Sequence, residues 1–148
     1  MYKSSFAAIT LFLNSKFSSI TNIYLNKLPA GFTRPSFFVQ LIKGSSEDLN
    51  RNQYQNKITW QIAYYSPQDQ DGNIDLMDQL GVTEQLHQAL MEIMKLTAPD
   101  GTQYQILNLD AEFRDYELYC LLGLETLNTR TEPNYDLMQD IYNHYKEG

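Results

Sequence analysis

The chain has 148 residues, enough for one ordinary domain that buries a substantial core without disulfides or metal. Its 11 lysines and arginines against 18 aspartates and glutamates leave a net charge of −7, which argues against simple non-specific binding to DNA or to an anionic membrane and leaves room only for local basic patches. Cys120 is the single cysteine, so no internal disulfide forms, and its place in the apolar run 118–124 marks it as a small buried residue instead of a reactive thiol.

Phe6, Ile9, Leu13 and Phe17 recur at helical spacing, and residues 4–18 read as a helix packed on the core. The same stretch looks like a short signal-peptide core, but no small-x-small cleavage site follows it, and no apolar run reaches the ~20 residues of a membrane span. Residues 22–28 form a short strand with Ile23 and Leu25 on one face, stopped by Pro29 and Gly31. Pro35 fixes the approach to the next strand, residues 36–43. There Phe37, Val39 and Leu41 share one face, with Phe38, Gln40 and Ile42 on the other. The polar run 44–53 lacks apolar periodicity and is expected to be an exposed hairpin tip.

From Tyr54 the alternation is the clearest in the chain. Asn56, Ile58, Trp60, Ile62 and Tyr64 fall on one side and Thr59, Gln61 and Ala63 on the other, the pattern of a half-buried antiparallel strand whose second face is wet or meets a partner. After the loop 68–73, residues 74–96 read as a helix. Thr83 caps its main part, Leu86, Ala89, Leu90 and Ile93 are its buried stripe, and Gly81 marks a break or kink. Residues 98–101 stop that helix. Residues 104–109 and a longer run, 112–129, are two further strands, the second alternating through Tyr116, Leu118, Cys120, Leu122 and Leu124, while 111–114 fits strand or turn. In 132–148, Leu137, Met138, Ile141, Tyr142 and Tyr145 fit one helical face, and a docked helix competes with an extended tail laid on a neighbouring subunit. The order helix, three strands, helix, two strands, tail predicts a single α+β domain over residues 1–148, a mainly antiparallel sheet with both helices packed on it and 132–148 as a docking tail.

Little in the chain looks like chemistry. His87 and His144 share no motif and no zinc spacing. Asp69, Asp71, Asn73 and Asp75 alternate oxygen donors as a calcium loop does. Counted from Asp69, however, the sixth and twelfth positions are Ile74 and Leu80, where the bend and the bidentate carboxylate belong. A turn ahead of a helix N-terminus accounts for the loop better. Asp110, Glu112, Asp115 and Glu117 straddle two extended segments, and a solvated strand edge is their ordinary reading, with a facing carboxylate pair as the alternative. No catalytic, metal-binding or cofactor-binding residue is assigned, and no cofactor is expected. The side chains suited to contact are Phe32 and Arg34, an aromatic and a cation on a loop stiffened by Pro29 and Pro35, together with Tyr65 at the end of the following strand. The competing reading folds Phe32 onto the core and leaves Arg34 solvated.

The run Gly31, Phe32, Thr33, Arg34, Pro35, Ser36, Phe37, Phe38, Val39 is distinctive. With Ile9, Thr10, Leu13 and Phe17 of the first helix, then Ile23 and Tyr24, and the passage 64–75, it resembles the tail terminator, or tail completion, proteins of long-tailed bacteriophages and related prophages. The resemblance covers most of the chain, up to about Thr129. It implies a non-enzymatic virion assembly protein that forms a ring, commonly a hexamer, on the last ring of tail-tube subunits, ends tube polymerisation and gives the surface for head joining. The implied partners are further copies of itself, the tail tube protein and a head-closure or connector protein. DNA would only pass through the lumen, and no membrane is involved. The implied location is the host cytoplasm during assembly and then the head-proximal end of the virion tail. The rival readings are a head-closure or connector joining protein, and a small ligand-binding or enzymatic α+β domain with a cleft between the long hairpin and the second helix.

Overall fold

The computed structural model describes residues 1–115 and 117–131. Helix α1 (Tyr2–Lys16) is followed by strands β1 (Asn22–Leu25), β2 (Ser36–Asp48) and β3 (Gln53–Tyr65), helix α2 (Leu76–Ile93), and strands β4 (Lys95–Thr97), β5 (Gln103–Arg114) and β6 (Glu117–Thr129). The strands make one sheet in the order β1-β2-β3-β6-β5-β4, antiparallel except for the β1–β2 pair. This is the α+β domain read from the sequence, with β4 as an added strand. The expected docking tail, 132–148, and with it His144, lies outside the described residues.

Both helices pack on one face of the sheet. The 3.6-residue period of α1 buries Ala8, Ile9, Phe12 and Leu13 against Phe37 and Val39 of β2, Ile58, Trp60, Ile62 and Tyr64 of β3, and Cys120, Leu122 and Leu124 of β6. Each fully buried leucine here contributes about 2 kcal/mol relative to exposure. The Trp60 indole donates from Nε1 to Ser5 Oγ at 2.9 Å, so the one polar atom of the largest core side chain has its partner. Phe6 tilts against Trp60 with ring centroids 5.9 Å apart, and Phe17 meets Phe37 edge-on at 5.4 Å.

Helix α2 buries Leu86 and Leu90, with Ala89 and Ile93 half-buried beside them. Its N-cap is Asp75, whose carboxylate accepts from the Asp78 N–H. The expected cap, Thr83, is therefore buried inside the helix, and Gly81 sits within it without breaking it. Met94 takes the left-handed conformation at φ 62° and closes the helix short of residue 96. Leu96 then drops into the core as the middle of β4.

Residues 44–53, expected as a loop, are mostly ladder. β2 and β3 stay paired from Gly44↔Ile58 to Asp48↔Tyr54, and β6 pairs with β3 as far as Thr129↔Gln53. The ends of β2, β3 and β6 thus form a three-stranded arm. Hydrophobic periodicity could not reveal it because Ser45, Ser46, Glu47, Gln55 and Asn56 make both faces polar, and backbone hydrogen bonds hold it instead. Arg130 clamps the tip. Its Nη1 donates to the carbonyls of Asn50 and Arg51, its backbone N–H donates to Asn52 O, its guanidinium lies over the Tyr54 ring, and it is ion-paired with Asp48. At the other end of the arm the Tyr2 ring lies across Gly44, where a side chain on β2 would collide with it.

β5 also runs further than the alternation indicated. It continues to Arg114, Asp115 turns the chain at φ 52°, and β6 starts at Glu117, so residues 112–114 belong to β5 and not to the last strand. β1 stops at Leu25, earlier than the expected 28, because Asn26 adopts φ 58°. Among the described residues no helix is long and apolar enough to cross a membrane.

Candidate protein interface

The three side chains singled out for contact come together at one corner of the face of the sheet opposite α1 and α2. Gly31 takes φ 68°, a conformation that suits glycine, and turns the chain so that Phe32 lies back over the sheet. The Phe32 ring meets Tyr65 edge-on at 5.1 Å and Tyr24 at 6.1 Å, and the Tyr24 hydroxyl accepts from the Thr33 N–H. The Arg34 guanidinium carbon lies 4.8 Å from the Phe32 ring centre and 5.4 Å from that of Tyr65, while its Nη1 donates to Ser66 O at 3.0 Å. Phe32 and Arg34 are half-buried and Tyr65 is buried. Arg34 is thus neither free in solvent nor sequestered. Among the described residues two aromatic faces and one carbonyl hold it.

The cluster continues into a polar chain that sequence reading missed. The Tyr65 hydroxyl donates to Glu117 Oε2 at 3.2 Å, and the Tyr119 hydroxyl donates to the same oxygen at 2.7 Å. Arg114 lies over the Tyr119 ring at 4.9 Å and donates from Nη2 to Gln61 Oε1 at 2.9 Å. Gln61 in turn donates to Gln40 Oε1. Burial, with the charge of Glu117 next in importance, pushes the Tyr65 hydroxyl well above the ordinary tyrosine range. Burial and the hydrogen bond to Glu117 push Tyr119 up to about 12. Both phenols therefore remain protonated donors at neutral pH.

This network explains why the second face of β3, expected to be wet or to meet a partner, is buried at its C-terminal end. Gln61, Ala63 and Tyr65 are all covered by neighbours in the same chain. The available signal was a period of two: Glu117 and Tyr119 share one face, and Gln61 and Tyr65 share another. Only the β3–β6 pairing shows that these faces are the same.

The other candidates fall apart as chemistry. In the loop before α2, Asp69 Oδ1 accepts from the Asp71 and Asn73 N–H groups, which uses that carboxylate to shape the turn. Glu117 is committed to two tyrosines, while Asp110 and Glu112 sit exposed on β5 and do not converge with it on a shared proton. Burial pushes the Cys120 thiol up to about 11. His87 is half-buried on α2. Between the C-terminal end of α2 and strands β5 and β6 lies a groove of about 520 Å³ lined by Ile93, Met94, Lys95, Gln105, Glu125 and Leu127, which brings no nucleophile and base together.

Comparison with known families gives one result. A family model described as phage tail terminator protein matches residues 6–136. No curated protein matches the chain.

Proposed function

Because the chain belongs to the phage tail terminator family, we propose that it ends growth of a phage tail tube by closing as a ring of identical subunits on the last tube ring, and that the ring then receives the head. The observation that carries this reading is the family match, which spans α1 from residue 6 onward, α2 and the whole sheet. The family is one of structural tail proteins, and the reading needs no catalysis, only surfaces. A ring of commonly six copies would match the tube it caps, and its acidic composition suits a lumen through which DNA slides, because negative walls repel the phosphates.

Within this reading the Phe32, Arg34 and Tyr65 cluster is the docking anchor for the tube or for the head-closure protein. Its aromatic faces and guanidinium are already ordered, so little side-chain entropy is lost on contact. The test of the role is deletion of the gene in a producing phage or prophage, followed by negative-stain microscopy of the particles. Overlong tails without heads are expected. Tails of normal length joined to heads would sink the proposal.

A further inference from the structure

The sheet has two stepped edges. On one side β1 covers β2 only as far as Leu41. Asn26 donates its backbone N–H to Val39 O, and its Oδ1 accepts from the Leu41 N–H at 2.8 Å. On the other side β4 covers β5 through Gln105, and the next N–H, from Ile106, reaches Met94 O at 2.8 Å. Among the described residues nothing pairs with the outer edge of β2 over 42–48, or with that of β5 over 107–114. Edges of that length are templates for another strand. Each also carries an exposed large apolar side chain, Ile42 at 49% and Phe113 at 57%.

We propose that a second copy of this chain adds through these edges, with β5 of one copy antiparallel to β2 of the next. The inference deepens the ring reading and rests on it. β2 and β5 run in opposite directions, since the pairs β2–β3, β3–β6 and β6–β5 are each antiparallel. A copy that continues the sheet therefore presents β5 antiparallel to β2.

Charge and the steps select one register. With Lys43 opposite Glu112, Ser45 meets Asp110, Glu47 meets Asn108 and the two exposed apolar residues, Ile42 and Phe113, meet each other. Lys43, Ser45 and Glu47 lie on the same face of the sheet as Asn108, Asp110 and Glu112, because Lys43 pairs with Thr59, Thr59 with Gly123 and Gly123 with Asn108. In this register Arg114, the last residue of the other copy's β5, reaches Leu41, the last covered residue of β2, and the stretch covered by β4 lies beyond Asp48, so the steps meet with an overlap of one residue. A shift by two residues in one direction sets Lys43 against Arg114 and Glu47 against Asp110, like charge on like. The same shift in the other direction drives Arg114 onto Val39, whose carbonyl Asn26 already holds. Pairing β2 with another β2 would set Lys43 opposite Glu47 but leave all of β5 open. A contact that uses both edges is heterologous, which is the kind that closes a ring.

The test uses the purified full-length chain carrying Ser45→Cys and Asp110→Cys, both at exposed positions, oxidised at high concentration and resolved on a non-reducing gel. Cys120 is fully buried and does not compete. A ladder of linked oligomers is expected from the double variant, only monomer from either single variant, and only a dimer from an equal mixture of the two. A dimer from Ser45→Cys alone, or a double variant that stays monomeric with unchanged circular dichroism, overturns the proposal. Should the cysteines disturb folding, Lys43→Glu and Glu112→Lys decide the matter by sedimentation. Each alone should lower the assembled fraction several-fold, and together they should restore it; losses that merely add overturn the contact. A ladder with no tail-length phenotype keeps the contact and removes the terminator role, whereas overlong tails with no ladder do the reverse.

Discussion

Tyr119 shows how one hydroxyl ties stability to pH. In an unfolded chain a tyrosine titrates near 10, whereas in the fold burial and the hydrogen bond to Glu117 push this one up to about 12. Between those values the folded protein keeps a proton that the unfolded chain releases. The unfolded state then binds fewer protons, so stability falls as pH rises. The contribution is fully present below about 10 and is gone above about 12. Tyr65, raised in the same direction by burial and by Glu117, adds to the slope. Urea denaturation at a series of pH values from neutral to strongly alkaline should show the midpoint declining over that window. In Tyr119→Phe the decline should be shallower, because one titrating group has gone while Tyr65 remains. Equal slopes in the two proteins would mean that neither burial nor Glu117 raises the Tyr119 hydroxyl in solution.

Among the elements, the three-stranded arm depends on local clamps more than on burial. Beyond Asn56 and Thr126 at its base its residues are mostly polar and mostly exposed, so among the described residues its order rests on the β2–β3–β6 ladder and on Arg130 at the tip. The ion pair of Arg130 with Asp48 is exposed and adds at most about 1 kcal/mol, and the two carbonyl contacts and the stack on Tyr54 hold the loop 49–52. Arg130→Ala should therefore leave the global unfolding midpoint almost unchanged and speed amide exchange in 48–54, measured by hydrogen–deuterium exchange with mass spectrometry. Exchange that stays as slow as in the native chain would assign the order of the tip to the ladder alone. The arm also marks the limit of what sequence pattern conveys. Where one side of a strand meets the core, as in Ile58, Trp60, Ile62 and Tyr64, alternation reads the strand directly. Where both sides are polar, as in Ser45 to Glu47, the strand has no such signature. β4 is three residues long, and the helical pattern of the preceding α2 masked it. Gly81 reads as a break, but its cost of about 1 kcal/mol is offset by the burial of Leu86 and Leu90 on the same helix.

For the whole molecule, the proposed capping would be a race. If the chain caps a tube, a growing end meets either another tube subunit or this chain, and the length at which it stops depends on how fast this chain arrives and stays. The Gly31 to Val39 run was legible as a family likeness, and Phe32 and Arg34 are proposed contact residues. Their stacking on Tyr65 was hidden because it joins a loop to a strand end more than 30 residues away in sequence. That stacking lets a docking defect be separated from a folding defect. Arg34→Ala removes the guanidinium and its bond to Ser66 O but leaves the Phe32–Tyr65 pair and the whole helix-side core untouched. Its melting temperature should fall by only a few degrees, in line with the loss of one hydrogen bond of about 1 to 2 kcal/mol. If the cluster docks on tube or head, a phage dependent on this variant should behave as though the terminator were scarce. Tail lengths measured by negative-stain microscopy should broaden upwards, and the same broadening should appear when the native chain is supplied at reduced dose. Raising the dose of the variant should narrow the distribution again, since weaker docking is offset by mass action. Tails of native length with Arg34→Ala at low dose would leave the Phe32, Arg34 and Tyr65 cluster a stabiliser of the fold and move the proposed docking surface elsewhere on the chain.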